Sequence, residues 1–227
     1  MMATALKISG LHKSFTLHQQ GGVNIPVFDG LNAEVKRGEA VAVTGPSGRG
    51  KSSLLKLIYG TYRASGGTIS VQHDDAWRDI VSAEPHEVLD IRKKTVGYVT
   101  QFLRVIPRIP AERIVAEPML ERGMEEDAAL ARARELLARL AIPERLWHLS
   151  PMTFSGGEQQ RVNIARGFAA PFPVLLLDEP TASLDAQNRE RVLELIAEAQ
   201  AAGSAIVAVF HDARERDKAC TREISLN

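Results

Sequence analysis

Cysteine is almost missing: Cys220 is the only one in 227 residues. An internal disulfide is therefore excluded, and the chain suits a reducing compartment. An excess of charge of one sign is missing too. The 28 Lys and Arg balance the 28 Asp and Glu, for a formal net charge of +0. The basic residues are scattered rather than gathered into the stripe of a nucleic-acid binder, so direct nucleic-acid contact is not expected. No apolar run approaches the ~20 residues that span a bilayer. The opening Met1-Met2-Ala3-Thr4-Ala5-Leu6-Lys7 lacks the apolar core of a secretion signal. A cytoplasmic protein without its own membrane anchor is expected. His12, His18, His73, His86 and His148 are dispersed without zinc-type spacing, so no transition metal is assigned. The length allows one α/β domain, or such a domain with an inserted lobe, and a real core.

Gly45-Pro46-Ser47-Gly48-Arg49-Gly50-Lys51-Ser52 fits G-x-x-x-x-G-K-[ST], a phosphate loop. In this pattern consecutive backbone N–H groups wrap phosphate oxygens, with Gly45, Ser47, Gly48 and Gly50 among the binding residues. Lys51 supplies a point charge for the β and γ phosphates, and the Ser52 hydroxyl is a ligand for Mg²⁺. The context agrees. Ala40 to Thr44 is a short apolar strand before the loop, and Ser53 to Tyr59 can open a helix whose positive end faces the phosphates.

Before the loop, Phe15-Thr16-Leu17 and Val23-Asn24-Ile25 flank Gly21-Gly22 as a hairpin. Phe15 could stack on a base or pack inward; spacing leaves both open. After the loop, residues 65–83 read as a second hairpin with a polar tip. Charged Asp90 to Lys94 precedes Val96-Gly97-Tyr98-Val99, a short strand that delivers Gln101 at its C-terminal end, where open α/β sheets present groups to ligands. Pro107 and Pro110 break regular structure. Glu125 to Ala141 is helical, with Leu130, Ala133, Leu137 and Leu140 on one face and Glu135 placed to pair with Arg139. Residues 103–157 are expected to form a helical lobe inserted between core segments 1–102 and 158–227.

Ser155 with Glu158 three residues on is a capping box opening a helix from Gln159 to Ala170. Capping does not explain Gly156 and Gly157, which strip side chains from the helix start and let an anion approach its backbone. Val174 to Leu177 is apolar throughout, as in a strand buried on both faces. It ends in Asp178-Glu179, acids suited to holding Mg²⁺ through water and to polarising an attacking water. Helix Gln187 to Ala202 stops at Gly203, and strand Ala205 to Phe210 places His211 at the same sheet edge.

Taken in order, G-P-S-G-R-G-K-S-S, Gln101, F-S-G-G-E-Q-Q, V-L-L-L-D-E-P, S-L-D and His211 resemble the ABC-type ATP-binding subunits over essentially the whole chain. The resemblance implies a RecA-like phosphate-loop NTPase fold: a parallel-sheet core with an antiparallel β subdomain and an inserted helical subdomain. It implies ATP and Mg²⁺ as ligands, with Phe15 on adenine and Ser53 beside the loop. Ser52, Gln101 and Asp178 would serve the metal, with Glu179 as base and His211 on the γ phosphate. Ser155, Gly156 and Gly157 would act in trans on a second ATPase subunit, with Ser183-Leu184-Asp185 between the sites. Phe154, Ser53 and Arg49 depart from the usual residues without removing a catalytic group. L-H-K-S-F-T-L-H-Q-Q-G-G-V and Q-F-L-R-V-I-P-R-I-P-A are similar to the L subunit of the carbon-phosphorus lyase system of phosphonate breakdown. On that resemblance the partners would be lyase subunits. The alternatives are a permease of the lipoprotein- or macrolide-exporter type, and an assembly role in which ATP is bound but hydrolysis is not needed.

Overall fold

The computed structural model describes residues 3–17, 22–101 and 107–226. Gly21 of the first turn and Phe102 to Ile106 lie outside the described residues. Five short strands form a parallel sheet in the order β6 (Val96–Val99), β7 (Val174–Asp178), β8 (Ala205–Val209), β3 (Ala40–Thr44) and β9 (Arg222–Ser225). Every residue of β7 and β8 is buried. Side chains alternate across a strand, so Val174 and Leu176 enter one hydrophobic cluster while Leu175 and Leu177 enter the other. Continuous apolar runs, rather than alternating ones, are what a sheet covered on both faces requires.

The first cluster joins the parallel sheet to helix α1 (Lys51–Ile58) and to an antiparallel sheet. That second sheet has the order β2 (Val23–Lys36), β1 (Thr4–Leu17), β4 (Gly66–His73) and β5 (Ala76–Asp79). Leu17 pairs with Val23 and Phe15 with Ile25, the hairpin expected from the sequence. The strands run to 14 residues each, longer than the short runs read from the sequence. Bulges between Ile8 and Leu11 and between Leu11 and Lys13 let them twist without breaking, and Gly10 takes the positive φ of 52° that one bulge needs.

The opposite face of the parallel sheet is covered by α3 (Ala111–Leu120), α4 (Glu126–Arg139), α6 (Gly156–Phe168) and α7 (Ala186–Ala201). Shorter pieces complete the order: α2 (Pro85–Lys94), α5 (Glu144–Trp147), a 3₁₀ turn at Pro151–Thr153 and α8 (Ala213–Ala219). On α4, Ala133 and Leu137 are buried and Leu130 partly so, and Leu140, the residue just past its end, is buried with them, as the helical spacing predicts. The pairing expected of Glu135 is corrected. It bonds Arg132 at 2.7 Å, while Arg139 reaches across to Glu198 of α7 at 2.6 Å. A tertiary partner that accepts both arms of the guanidinium displaces a neighbour that offers weaker geometry. Arg122, past α3, donates to the carbonyls of Lys93, Lys94 and Pro171 and stacks on Phe172 at 4.3 Å. No helix among the described residues is long and apolar enough to cross a membrane.

Candidate nucleotide-binding site

Residues 45–50 connect β3 to α1, and the helix starts at Lys51, two residues before the sequence expectation. Gly45, Gly48 and Gly50 have φ of 143°, 80° and 90°, conformations that L side chains resist. Gly50 sits at the N-cap and brings no side chain to the first N–H groups of α1. Its position is tight, since a Cβ there would lie 2.4 Å from Val27 Cγ1. The Lys51 ammonium donates to the carbonyls of Gly45 at 2.7 Å and Pro46 at 3.0 Å, which holds its charge across the mouth of the loop.

The C-terminal ends of the strands meet this loop. Ser52 Oγ donates to Asp178 Oδ1 at 2.9 Å, and Tyr98 Oη donates to Asp178 Oδ2 at 3.1 Å. Burial first, then the Asp178 carboxylate, pushes the Tyr98 phenol well above its ordinary range, so it remains a donor. Gln101 Nε2 donates to Glu179 Oε2 at 3.1 Å. Glu179 has a φ of 52°, and its N–H bonds the carbonyl of Val209 at 2.9 Å. That kink turns its carboxylate out of the sheet, whereas Asp178 stays buried in β7. Two residues beyond Val209, His211 is exposed at the neighbouring strand end. A hydroxyl and a carboxylate at this separation are hard oxygen donors that suit Mg²⁺.

The hairpin of β1 and β2 forms a side wall. Phe15 meets Tyr62 edge-on with centroids 5.4 Å apart, and Lys13 Nζ lies 4.5 Å from its centroid. Val27 of the same hairpin abuts Gly50. Ser155 to Gly157 stand apart at the start of α6. Here Ser155 and Glu158 close the expected capping box at 2.8 Å and 3.3 Å, and Ser155 and Gly156 are exposed. A Cβ at Gly157 would lie 3.6 Å from the Ser183 carbonyl, so the start of α6 adjoins the Ser183 backbone, while Leu184 is buried.

A cavity of about 840 Å³ has Tyr59, Arg92, Tyr98, Thr100, Ile109 and Asn163 among its lining. Asn163 of α6 donates to the carbonyl of Thr100 at 2.6 Å. Tyr98 and Asn163 escape sequence reasoning because each acts on a residue far away in the chain. Elsewhere His73, Asp74 and Asp90 gather into a cluster that histidine spacing did not reveal, and the Lys94 ammonium supplies its positive charge.

The sequence profile of the ABC transporter family matches residues 28–182. An ABC transporter ATP-binding protein of Mycobacterium tuberculosis is 39% identical over 197 residues, 87% of this chain, which spans only 58% of that protein's length. The lipoprotein-releasing system ATP-binding protein LolD of Novosphingobium aromaticivorans is 38% identical over 215 residues, covering 94% of this chain and 92% of its own. The dimeric post-hydrolysis structure of the ATP-binding cassette MJ0796, bound to ADP and Pi, superposes with a TM-score of 0.87 at 29% identity. It covers 98% of this chain and 94% of its own.

Proposed function

We propose, for a chain that belongs to the ABC transporter family and is one of its ATPases, a head-to-tail sandwich in which two subunits enclose two ATP molecules. Lys51 and the loop N–H groups bind the triphosphate, and Phe15 offers a ring for adenine. Glu179 takes the proton of the attacking water, and Gln101, bonded to it at 3.1 Å, orients that carboxylate. His211 contacts the γ phosphate from the adjoining strand end. Ser52, Gln101 and Asp178 would hold Mg²⁺, which supplies charge neutralisation between the β and γ phosphates when bound. Ser155, Gly156 and Gly157 close on the partner's γ phosphate. The observation that carries this reading is the placement of Ser52, Asp178, Gln101 and Glu179 in two bonded pairs at one sheet edge.

The separation of roles has a physical logic. One chain presents a phosphate loop on one surface and a glycine-opened helix end on another. Two chains join both around one triphosphate, and hydrolysis removes the γ phosphate that bridges them, so chemistry becomes opening and closing. Segments 1–102 and 158–227 would then act as the nucleotide-binding core and 103–157 as the lobe that carries the second surface.

The 840 Å³ cavity is the place for the protein that feels this motion. The relationship to a lipoprotein-releasing ATPase supports a membrane permease of the lipoprotein- or macrolide-export branch, which would hold the chain at the inner membrane. A second reading is a soluble carbon-phosphorus lyase machinery. It rests on the segment after Gln101, whose Ile109 lines the same cavity. Copurification with the cavity intact and with Ile109→Glu separates the two. A permease lost on substitution supports the first, lyase subunits lost on substitution the second, and a partner unaffected by it counts against the cavity.

A further inference from the structure

Tyr98 connects the cavity to the Ser52–Asp178 pair. Its ring forms part of the cavity wall, and its hydroxyl holds Asp178 Oδ2 at 3.1 Å while Ser52 holds Oδ1 at 2.9 Å. Asp178 is only 4% exposed, so its carboxylate finds few other donors to fix its angle. The ring is itself braced. Tyr59, at the end of α1, packs on it with centroids 5.1 Å apart, and Arg92 lies 4.6 Å from the Tyr59 centroid while its Nε donates to the Tyr59 carbonyl. Tyr59 and Arg92 line the same cavity. A continuous file therefore runs from the cavity surface to the carboxylate: Arg92, Tyr59, Tyr98, Asp178.

We propose that Tyr98 is a positioning residue for Asp178, and that the Arg92–Tyr59–Tyr98 stack lets the cavity wall set how well Ser52 and Asp178 hold Mg²⁺. The inference rests on the reading of Ser52 and Asp178 as the metal-holding pair. Removing only the hydroxyl leaves the ring packing and frees the carboxylate to turn away from Ser52. A hydrogen bond to a charged group is the kind whose loss is felt about tenfold. In this row Tyr59 reaches Asp178 by way of Tyr98, so its effect has to vanish once the Tyr98 hydroxyl is gone.

The test measures equilibrium binding of radiolabelled ATP as Mg²⁺ is titrated, in a Glu179→Gln background without turnover. Tyr98→Phe is expected to raise the half-saturating Mg²⁺ by about tenfold while leaving ATP binding in EDTA unchanged. Tyr59→Leu is expected to raise it severalfold in the parent and to add nothing on Tyr98→Phe. A Tyr98→Phe titration that overlays the parent, or moves to lower Mg²⁺, overturns the proposal, as does additive behaviour of the two substitutions. If the parent binds no ATP at any Mg²⁺ concentration, the nucleotide reading itself has failed, which is a different result.

Discussion

Two glycines of the phosphate loop share a left-handed backbone and differ in what surrounds them, which makes their substitution by alanine a controlled pair. Gly48 has a φ of 80° with no atom within 4 Å of an added Cβ. Gly50 has a φ of 90°, but its Cβ would meet Val27 Cγ1 at 2.4 Å and Phe28 Cζ at 3.1 Å. Phe28 is buried and Val27 packs against the same cluster, so neither yields freely. The backbone penalty for alanine is about 1–2 kcal/mol at either position, offset by about 0.4–1 kcal/mol from the stiffer unfolded chain. Only Gly50→Ala adds overpacking, at about 1–3 kcal/mol. The net expectation is a loss of about 1 kcal/mol for Gly48→Ala and about 2–4 kcal/mol for Gly50→Ala. For a chain of this size that corresponds to melting points lower by about 2–4 °C and about 5–15 °C. Calorimetry without nucleotide reads both. Equal shifts, or a larger shift for Gly48→Ala, would refute the tight packing of Val27 and Phe28 of the hairpin against Gly50.

Ser155→Ala removes the cap of α6 and is expected to destabilise the chain by about 1 kcal/mol in a melt without nucleotide; no change would mean that the box contributes nothing to folding. Asn163→Ala deletes the bond to the Thr100 carbonyl next to Gln101, and turnover is expected to fall about fivefold with ATP affinity intact; loss of affinity instead would place Asn163 in binding. The hydrogen bond from Arg139, outweighing slight burial, holds the Glu198 carboxyl below its ordinary 4.5. A depressed folded-state value stabilises above the unfolded one and is lost on acidification, so the deficit of Arg139→Ala, about 0.5–1 kcal/mol for so exposed a pair, should fade below about pH 4.5 and shrink in salt. A deficit constant with pH would assign it to packing. ATPase rate in dilute solution is expected to rise with the square of protein concentration, and strict linearity would argue for a site complete in one chain.

Elements that announce themselves locally were legible in the sequence. The phosphate loop, the apolar runs of β3, β7 and β8, and the Ser155–Glu158 box are each set by residues within a few positions of one another. Helix α2 shows in the sequence only as the charged run Asp90 to Lys94, because Ile91 is its one buried residue and leaves no apolar stripe. Its signal was at the start, where Glu84, Pro85 and Glu87 form a capping box with proline in the first turn. Helix α8 has no buried residue at all, and β9 has only Ile224 buried. At the candidate site the sequence carries the residue types and not the bonds between them. Nothing in the order of residues tells that Tyr98 reaches Asp178, 80 positions on, or that Arg139 prefers Glu198 to Glu135. Such contacts are decided by which strands become neighbours in the parallel sheet.

In the proposed mechanism a phosphate loop from one chain and a glycine-opened helix end from another close on the same triphosphate. A structure of the Glu179→Gln form, purified with its partners and loaded with ATP and Mg²⁺, tests it most directly. The Ser155–Gly157 segment of one ATPase subunit is expected against the γ phosphate that the Lys51 loop of the other holds. A lone chain with ATP in its loop, and Gly156 and Gly157 facing water, would contradict it.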